Sequence, residues 1–236
     1  MTVLFLVGIV IFTIYNLNAQ ISLNDSRLSD AYKDLTNRIE RNGVSKGLDI
    51  KGSPYFNPKF KEATVIYFEK PLDEKVQLRY NAFSDELEMS LSPNPTESDQ
   101  ALIKNNNVFC ELDGEVFKYL PLIGGNKKLA KVGYVKEIYK GQRFSIYLRE
   151  RKMYREAKKE RTSLERSFPA RFTDEYEWYF QKNNGPLEFI KPNKKTFKAL
   201  FKADLDHLNI FLKTKKGDFK DLEYLQKLVR FLDEIN

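Results

Sequence analysis

Val76-Gln77-Leu78-Arg79-Tyr80-Asn81-Ala82-Phe83-Ser84-Asp85-Glu86-Leu87-Glu88-Met89-Ser90-Leu91 reads as a β-hairpin. Val76, Leu78, Tyr80 and Ala82 fall on one strand face, because successive side chains of a strand point to opposite sides of the pleat. Ser84-Asp85 supplies a tight turn, and Leu87, Met89 and Leu91 face inward on the return, with Glu86 and Glu88 opposite them toward solvent. The period of two extends in both directions. Upstream, Thr64, Ile66 and Phe68 share a strand face. Downstream, apolar runs over 108–112 and 116–120 flank the hairpin signal Asp113-Gly114. Runs over 132–139 and 143–153 are joined at Lys140-Gly141. Phe172, Asp174, Tyr176, Trp178 and Phe180 line a strand that ends at Asn183-Asn184-Gly185, and 187–190 completes that hairpin. Short strands and tight turns predict an antiparallel meander over 63–191, forming a curved sheet or barrel-like β domain.

The flanks carry helical spacing, which makes the predicted class α+β. Leu28, Ala31, Tyr32, Leu35 and Ile39 make one stripe over 25–41, stopped at Asn42-Gly43, so 20–62 reads as an N-terminal helix and a turn-rich link. Phe197, Leu200 and Phe201, then Leu205, Leu208, Phe211 and Leu212, give two short stripes. Leu222, Leu225, Leu228, Val229, Leu232 and Ile235 give a third, which Asp218 is expected to cap. Residues 192–236 are thus a C-terminal helical segment expected to pack on the sheet.

The first 19 residues have the pattern of a secretory signal peptide. Residues 3–14 are apolar except at Gly8 and Thr13, the chain turns polar at Tyr15-Asn16, and Ala19 is the small residue before a cut that would leave Gln20 first. The n-region departs from the pattern in holding no Lys or Arg. The apolar run is shorter than the ~20 residues a membrane span needs, so no transmembrane segment is expected after cleavage. The single Cys110 excludes an internal disulfide and, alternating with Val108 and Leu112, reads as a core residue. Hydrophobic residues are 42% of the chain, enough for a sizeable core without disulfides.

Catalytic and metal signatures are sparse. One His and one Cys offer no zinc set, His207 has no nucleophile to serve, and Gly124-Gly125 lacks the spacing of a phosphate-cradling loop, so no metal or cofactor is expected. Asp174 shares a predicted inward face with Tyr176 and Trp178, and Arg79 or Arg171 would have to neutralise it there. A paired charge near a strand end explains such a residue; the alternative is a candidate pocket of Arg79, Tyr80, Asp174, Tyr176 and Trp178 for a small-ligand carrier or a hydrolase.

The net charge of +7 is unevenly placed. Residues 127–171 hold fifteen Lys and Arg against five Glu, a local excess of +10, so the rest of the chain is acidic. A solvated, highly charged hairpin explains this, and so does an anion-binding patch of Arg149, Arg151, Lys152, Arg155, Lys158, Lys159 and Arg161. Tyr134, Tyr139, Phe144, Tyr147 and Tyr154 interleave with these charges as base-stacking residues would, but export removes most nucleic-acid targets.

Three stretches together resemble a group of exported proteins of Bacteroidota-type bacteria that has no assigned activity. They are Gly52-Ser53-Pro54-Tyr55-Phe56-Asn57, the Leu78–Glu88 segment with its Arg79-Tyr80-Asn81, and Leu17-Asn18-Ala19-Gln20. The resemblance covers about the first half of the mature chain. It implies a β-rich envelope protein and brings no catalytic residue. The helical C-terminus, where such bacteria often carry a β-sandwich sorting tail, points to the periplasm or the inner face of the outer membrane. The expectation is a non-catalytic envelope protein that binds a partner protein or an anionic surface through 127–171.

Overall fold

The computed structural model describes residues 50–98, 100–125, 129–158, 160 and 166–235. The expected signal segment 1–19 and the helix over 25–41 lie outside the described residues. The chain divides into two units, residues 1–51 with 156–171 and residues 52–155 with 172–236. In the first, Lys158 and Phe168 exchange backbone hydrogen bonds at 2.8 Å, and Lys51 bridges Arg171 in the parallel sense.

The second unit is mostly strand, and it takes in all of the following strands and helices except Arg171, the first residue of the tenth strand. In chain order it holds β1 (Lys61–Tyr67), β2 (Lys70–Pro71), β3 (Val76–Asn81), β4 (Glu86–Ser90), β5 (Gln100–Ala101), β6 (Val108–Leu112), β7 (Glu115–Ile123), β8 (Leu129–Lys140), β9 (Phe144–Arg155), β10 (Arg171–Lys182) and β11 (Leu187–Ile190). Three helices follow, α1 (Lys194–Leu200), α2 (Leu205–Thr214) and α3 (Leu222–Glu234). The strands form one sheet in the order β11-β10-β9-β8-β7-β6-β1-β3-β4-β5, with β2 paired to β1. The β3–β4 hairpin has Tyr80 opposite Leu87 and Leu78 opposite Met89. The β6–β7 turn is the expected two-residue one, with Asp113 at φ 57° and Gly114 at φ 78°.

The pairing also closes on itself. β11 pairs with β10 on one side and with β7 on the other, Leu187 opposite Leu122 and Glu188 opposite Ile123. β7 through β11 therefore make a ring of five strands, and the closing pair is parallel. This corrects the purely antiparallel expectation, for a reason of parity. Each strand of an up-and-down run reverses the one before, so the fifth runs with the first, and an odd ring can close only with a parallel pair. Closure also removes two unpaired strand edges.

Three apolar clusters follow from this path. The ring interior holds a buried apolar cluster to which every strand contributes: Leu122, Val135, Tyr147, Tyr179 and Leu187. The outer faces of β9, β10 and β11 present Phe144, Ile146, Leu148, Trp178, Phe180 and Ile190 to the helices. Strand β9 is thus covered on both faces, and its buried run from Phe144 to Arg149 is unbroken. The third cluster joins β1, β3, β4, β6 and β7 around Leu78, Leu87, Cys110 and Phe117.

Several local expectations need correction. The buried face of β1 is Ala63 and Val65, and Phe68 lies past the strand in the turn to β2. Leu91 is exposed beyond the end of β4. The α3 cap is Asp221, whose carboxylate accepts the Tyr224 N–H at 2.9 Å. Asp218 instead accepts the Lys220 N–H in the turn before the helix. Among the described residues no helix is long and apolar enough to cross a membrane.

Candidate functional site

The basic stretch is largely neutralised from within. Arg149, offered by sequence as a surface contact, is 2% exposed because it occupies an inward position of β9. Its Nη2 donates to Asp85 Oδ2 at 2.7 Å, and its Nη1 stands 3.5 Å from Glu177 Oε2. Asp85 Oδ1 also accepts the Tyr80 hydroxyl at 2.7 Å, and Glu177 Oε1 receives Lys131 Nζ at 2.8 Å. Burial alone would raise the Glu177 pKa, but Lys131 and Arg149 outweigh it and hold it below the ordinary range. Lys136 bridges Glu115 and Glu150, Arg143 meets Asp204, and Lys152 meets Asp174. Of the remaining patch residues, Arg151 is half-buried, Arg155 and Lys158 are exposed, and Lys159 and Arg161 lie outside the described residues. Tyr134, Phe144 and Tyr147 are buried and offer no face to a base.

The proposed pocket around Asp174 does not assemble. Asp174 and Tyr176 lie on the exposed part of β10, while Trp178 and Tyr80 are buried in two different apolar clusters. The partner of Asp174 is Lys152 Nζ at 2.5 Å, not Arg79 or Arg171. Arg79 serves Glu88, which is 7% exposed rather than facing solvent. Glu88 accepts from Arg79 Nε at 2.9 Å, Asn81 Nδ2 at 2.8 Å and the Tyr55 hydroxyl at 3.0 Å. The guanidinium lies between the Tyr55 and Phe60 rings, 4.1 and 4.2 Å from their centroids. Tyr55, Arg79 and Asn81 thus meet at one buried carboxylate, and Tyr80 supports Asp85 on the other face of the same hairpin. Arg79 and Tyr80 border a void of about 100 Å³, too small for most organic ligands.

A larger cleft, of about 620 Å³, lies elsewhere. All five ring strands reach it: Lys118, Leu120, Pro121 and Ile123 from β7, Lys140 from β8, Tyr147 from β9, Gln181 from β10 and Leu187 from β11. The Asn184-Gly185-Pro186 turn, Asn106-Asn107 and the β1–β2 tip complete the lining. Tyr147 and Leu187 also belong to the ring interior, so the cleft is founded on the ring's own core. On its polar side, Lys118 Nζ is 2.5 Å from Glu137 Oε2, the Tyr147 hydroxyl donates to Gln181 Oε1 at 3.2 Å, and Gln181 Nε2 donates to the Gly185 carbonyl at 2.8 Å. Burial, and then the neighbouring Glu137 carboxylate, push the Tyr147 phenol up to about 12, so it stays a protonated donor.

The rim is unusual. The β1–β2 turn has two residues, Phe68 and Glu69, at φ 47° and 66°, with Tyr67 opposite Lys70. Such turns belong to Asn-Gly, because a Cβ at positive φ crowds the backbone. Here a phenylalanine holds the place, 53% exposed. The Phe68 N–H donates to the Asn107 carbonyl at 2.9 Å, which fixes the tip against the next turn. The sequence marks none of these as site residues, and it reads Phe68 only as a strand-face position beside Thr64 and Ile66. The available signal was Phe68-Glu69 between two strands with neither Gly nor Asn. Comparison of the chain with protein-family models, curated proteins and solved structures found no match.

Proposed function

We propose that this protein is an exported, non-catalytic binding protein of the cell envelope that holds a small ligand in the cleft bounded by Phe68, Lys118, Tyr147 and Gln181. Phe68 carries the reading. A turn needed only for the fold would gain stability from Asn or Gly there, whereas a bulky apolar ring held exposed and strained on a cleft rim suits contact with a ligand. The cleft volume lies within the ~300–1,000 Å³ range of small-molecule sites. Lys118 and Glu137 neutralise each other and Tyr147 keeps its proton, which favours holding a ligand over moving protons.

Export rests on the apolar 3–14 segment and Ala19, and the resemblance to Bacteroidota-type envelope proteins agrees with it. Docking to an anionic surface through 127–171 has less support, since five cations of that stretch already hold carboxylates. The test is backbone amide mapping by NMR as the full folded protein receives fractions of a small-molecule extract. Signals of Phe68, Asn107, Lys118 and Gly185 are expected to move together. Shifts confined to Arg151, Arg155 and Lys158, or none anywhere, would overturn the cleft reading.

A further inference from the structure

The cleft's chemistry narrows its ligand, an inference that rests on the binding reading above. We infer that the cleft takes a neutral saccharide, one sugar ring stacked on Phe68 and its hydroxyls met by the amides of Asn106, Asn107 and Asn184. Asn106, Asn107 and Asn184 are exposed residues of the cleft lining, and their side chains make no hydrogen bond among the described residues. Each amide offers two N–H donors and an acceptor oxygen. A hydroxyl likewise donates and accepts, so a polyol pairs with such groups in either sense, while a group that only accepts or only donates leaves half of them unused.

The apolar lining has the complementary form. Phe68, Phe109, Pro121 and Pro186 contribute apolar groups to the same lining as the polar ones. A pyranose has the same division, with C–H faces above and below and hydroxyls around the edge. A fatty acyl chain would press apolar surface on three amides and leave them without partners, at a desolvation cost for each. Charge argues in the same direction. Lys118 is held by Glu137 at 2.5 Å, and the remaining charged groups of the lining, Glu69 and Lys140, are one of each sign. Among the described residues an anionic ligand would find no uncompensated cation cluster there.

The experiment uses the full folded chain with maltotriose, cellotriose, xylotriose and triacetylchitotriose as probes, and adenosine and octanoate as competitors of other chemistry. Titration is followed by calorimetry and amide shifts. At least one trisaccharide is expected to saturate the cleft, with shifts at Phe68, Asn106 and Asn184. Phe68→Ala is expected to weaken it at least about tenfold. Phe68→Tyr keeps it, and about 0.5 M sodium chloride leaves the affinity within about twofold, because no ion pair forms. Saccharide binding indifferent to Phe68→Ala overturns the stacking inference. Adenosine or octanoate saturating the cleft while every trisaccharide fails overturns the saccharide class but leaves the binding function standing. Silence of the cleft signals to every probe removes both.

Discussion

Gly133 faces the buried ion pair at close range. A Cβ there would stand 2.6 Å from Arg149 Nη2 and 2.7 Å from Asp85 Oδ2, so Gly133→Ala must displace the pair. Losing one partner of a buried charge pair costs about 3–5 kcal/mol, and denaturant unfolding of Gly133→Ala should show a loss of up to that size. Arg149→Lys is not a rescue, because a single ammonium cannot meet Asp85 and Glu177 through separate nitrogens as the guanidinium does. At the β1–β2 tip the sign reverses. Phe68→Asn and Glu69→Gly each relieve a positive φ and should raise stability by up to about 1 kcal/mol, less for Gly because it also frees the unfolded chain. The two variants separate stability from binding. Both are expected to melt higher than the parent, but only Phe68→Asn should lose the ligand. If Phe68→Asn melted lower, the ring would be a packing element and its exposure on the rim would have another origin.

Helix α3 shows how one element closes on another. Its last turn carries Asp233, where a negative charge opposes the helix dipole. Asp233 is kept because the β8–β9 turn presents donors to it: the N–H groups of Gln142, Arg143 and Phe144 at 3.0, 2.8 and 2.8 Å, and the Tyr139 hydroxyl at 3.1 Å. Gly141 leaves room for that carboxylate, since a Cβ there would overlap Asp233 Oδ2. Burial acts to raise the Asp233 pKa, but the three backbone donors and Tyr139 outweigh it and lower it below the usual aspartate value. A carboxyl with a lower pKa folded than unfolded adds stability above the unfolded value, and that stability is lost as the pH falls through the folded one. Asp233→Asn is therefore expected to be less stable than the parent at neutral pH and to lose less on acidification to about pH 3. Unfolding midpoints across that range decide it, and parallel curves for the two proteins would show that Asp233 is not the titrating clamp. The helices themselves were legible, because α3 buries Leu225, Leu228, Val229 and Leu232 as its period requires. The clamp was not, since nothing in the local sequence says that Asp233 meets residues about ninety positions upstream.

What sequence reveals of the whole molecule is governed by separation along the chain. The Asp113-Gly114 and Asn183-Asn184-Gly185 turns are signalled by adjacent residues and form as read, whereas Ala82, expected in the strand, joins Phe83, Ser84 and Asp85 in a four-residue turn between the paired Asn81 and Glu86. The cleft draws on the β1–β2 tip, the turn before β6 and the β10–β11 turn, which are brought together only by the sheet, so no local pattern marks it. Charge behaves likewise: the acidic remainder of the chain supplies Asp85, Asp174 and Asp204 to cations of the basic stretch. Ring closure is the property most remote from the sequence, resting on the short parallel pairing of β7 with β11. Leu187 is the residue through which closure can be tested, because it is buried in the ring interior, pairs opposite Leu122 and lines the cleft. Leu187→Ala should cost about 2–5 kcal/mol, as truncation of a packed leucine does. If the five strands hold as one cooperative unit, hydrogen exchange of this variant should speed up together along β7, β8, β9, β10 and β11, and the cleft's ligand affinity should fall with it. Faster exchange restricted to β11, with β7 still protected and the ligand still bound, would mean that β7 to β10 hold without the closing pair and that the cleft does not depend on a complete ring.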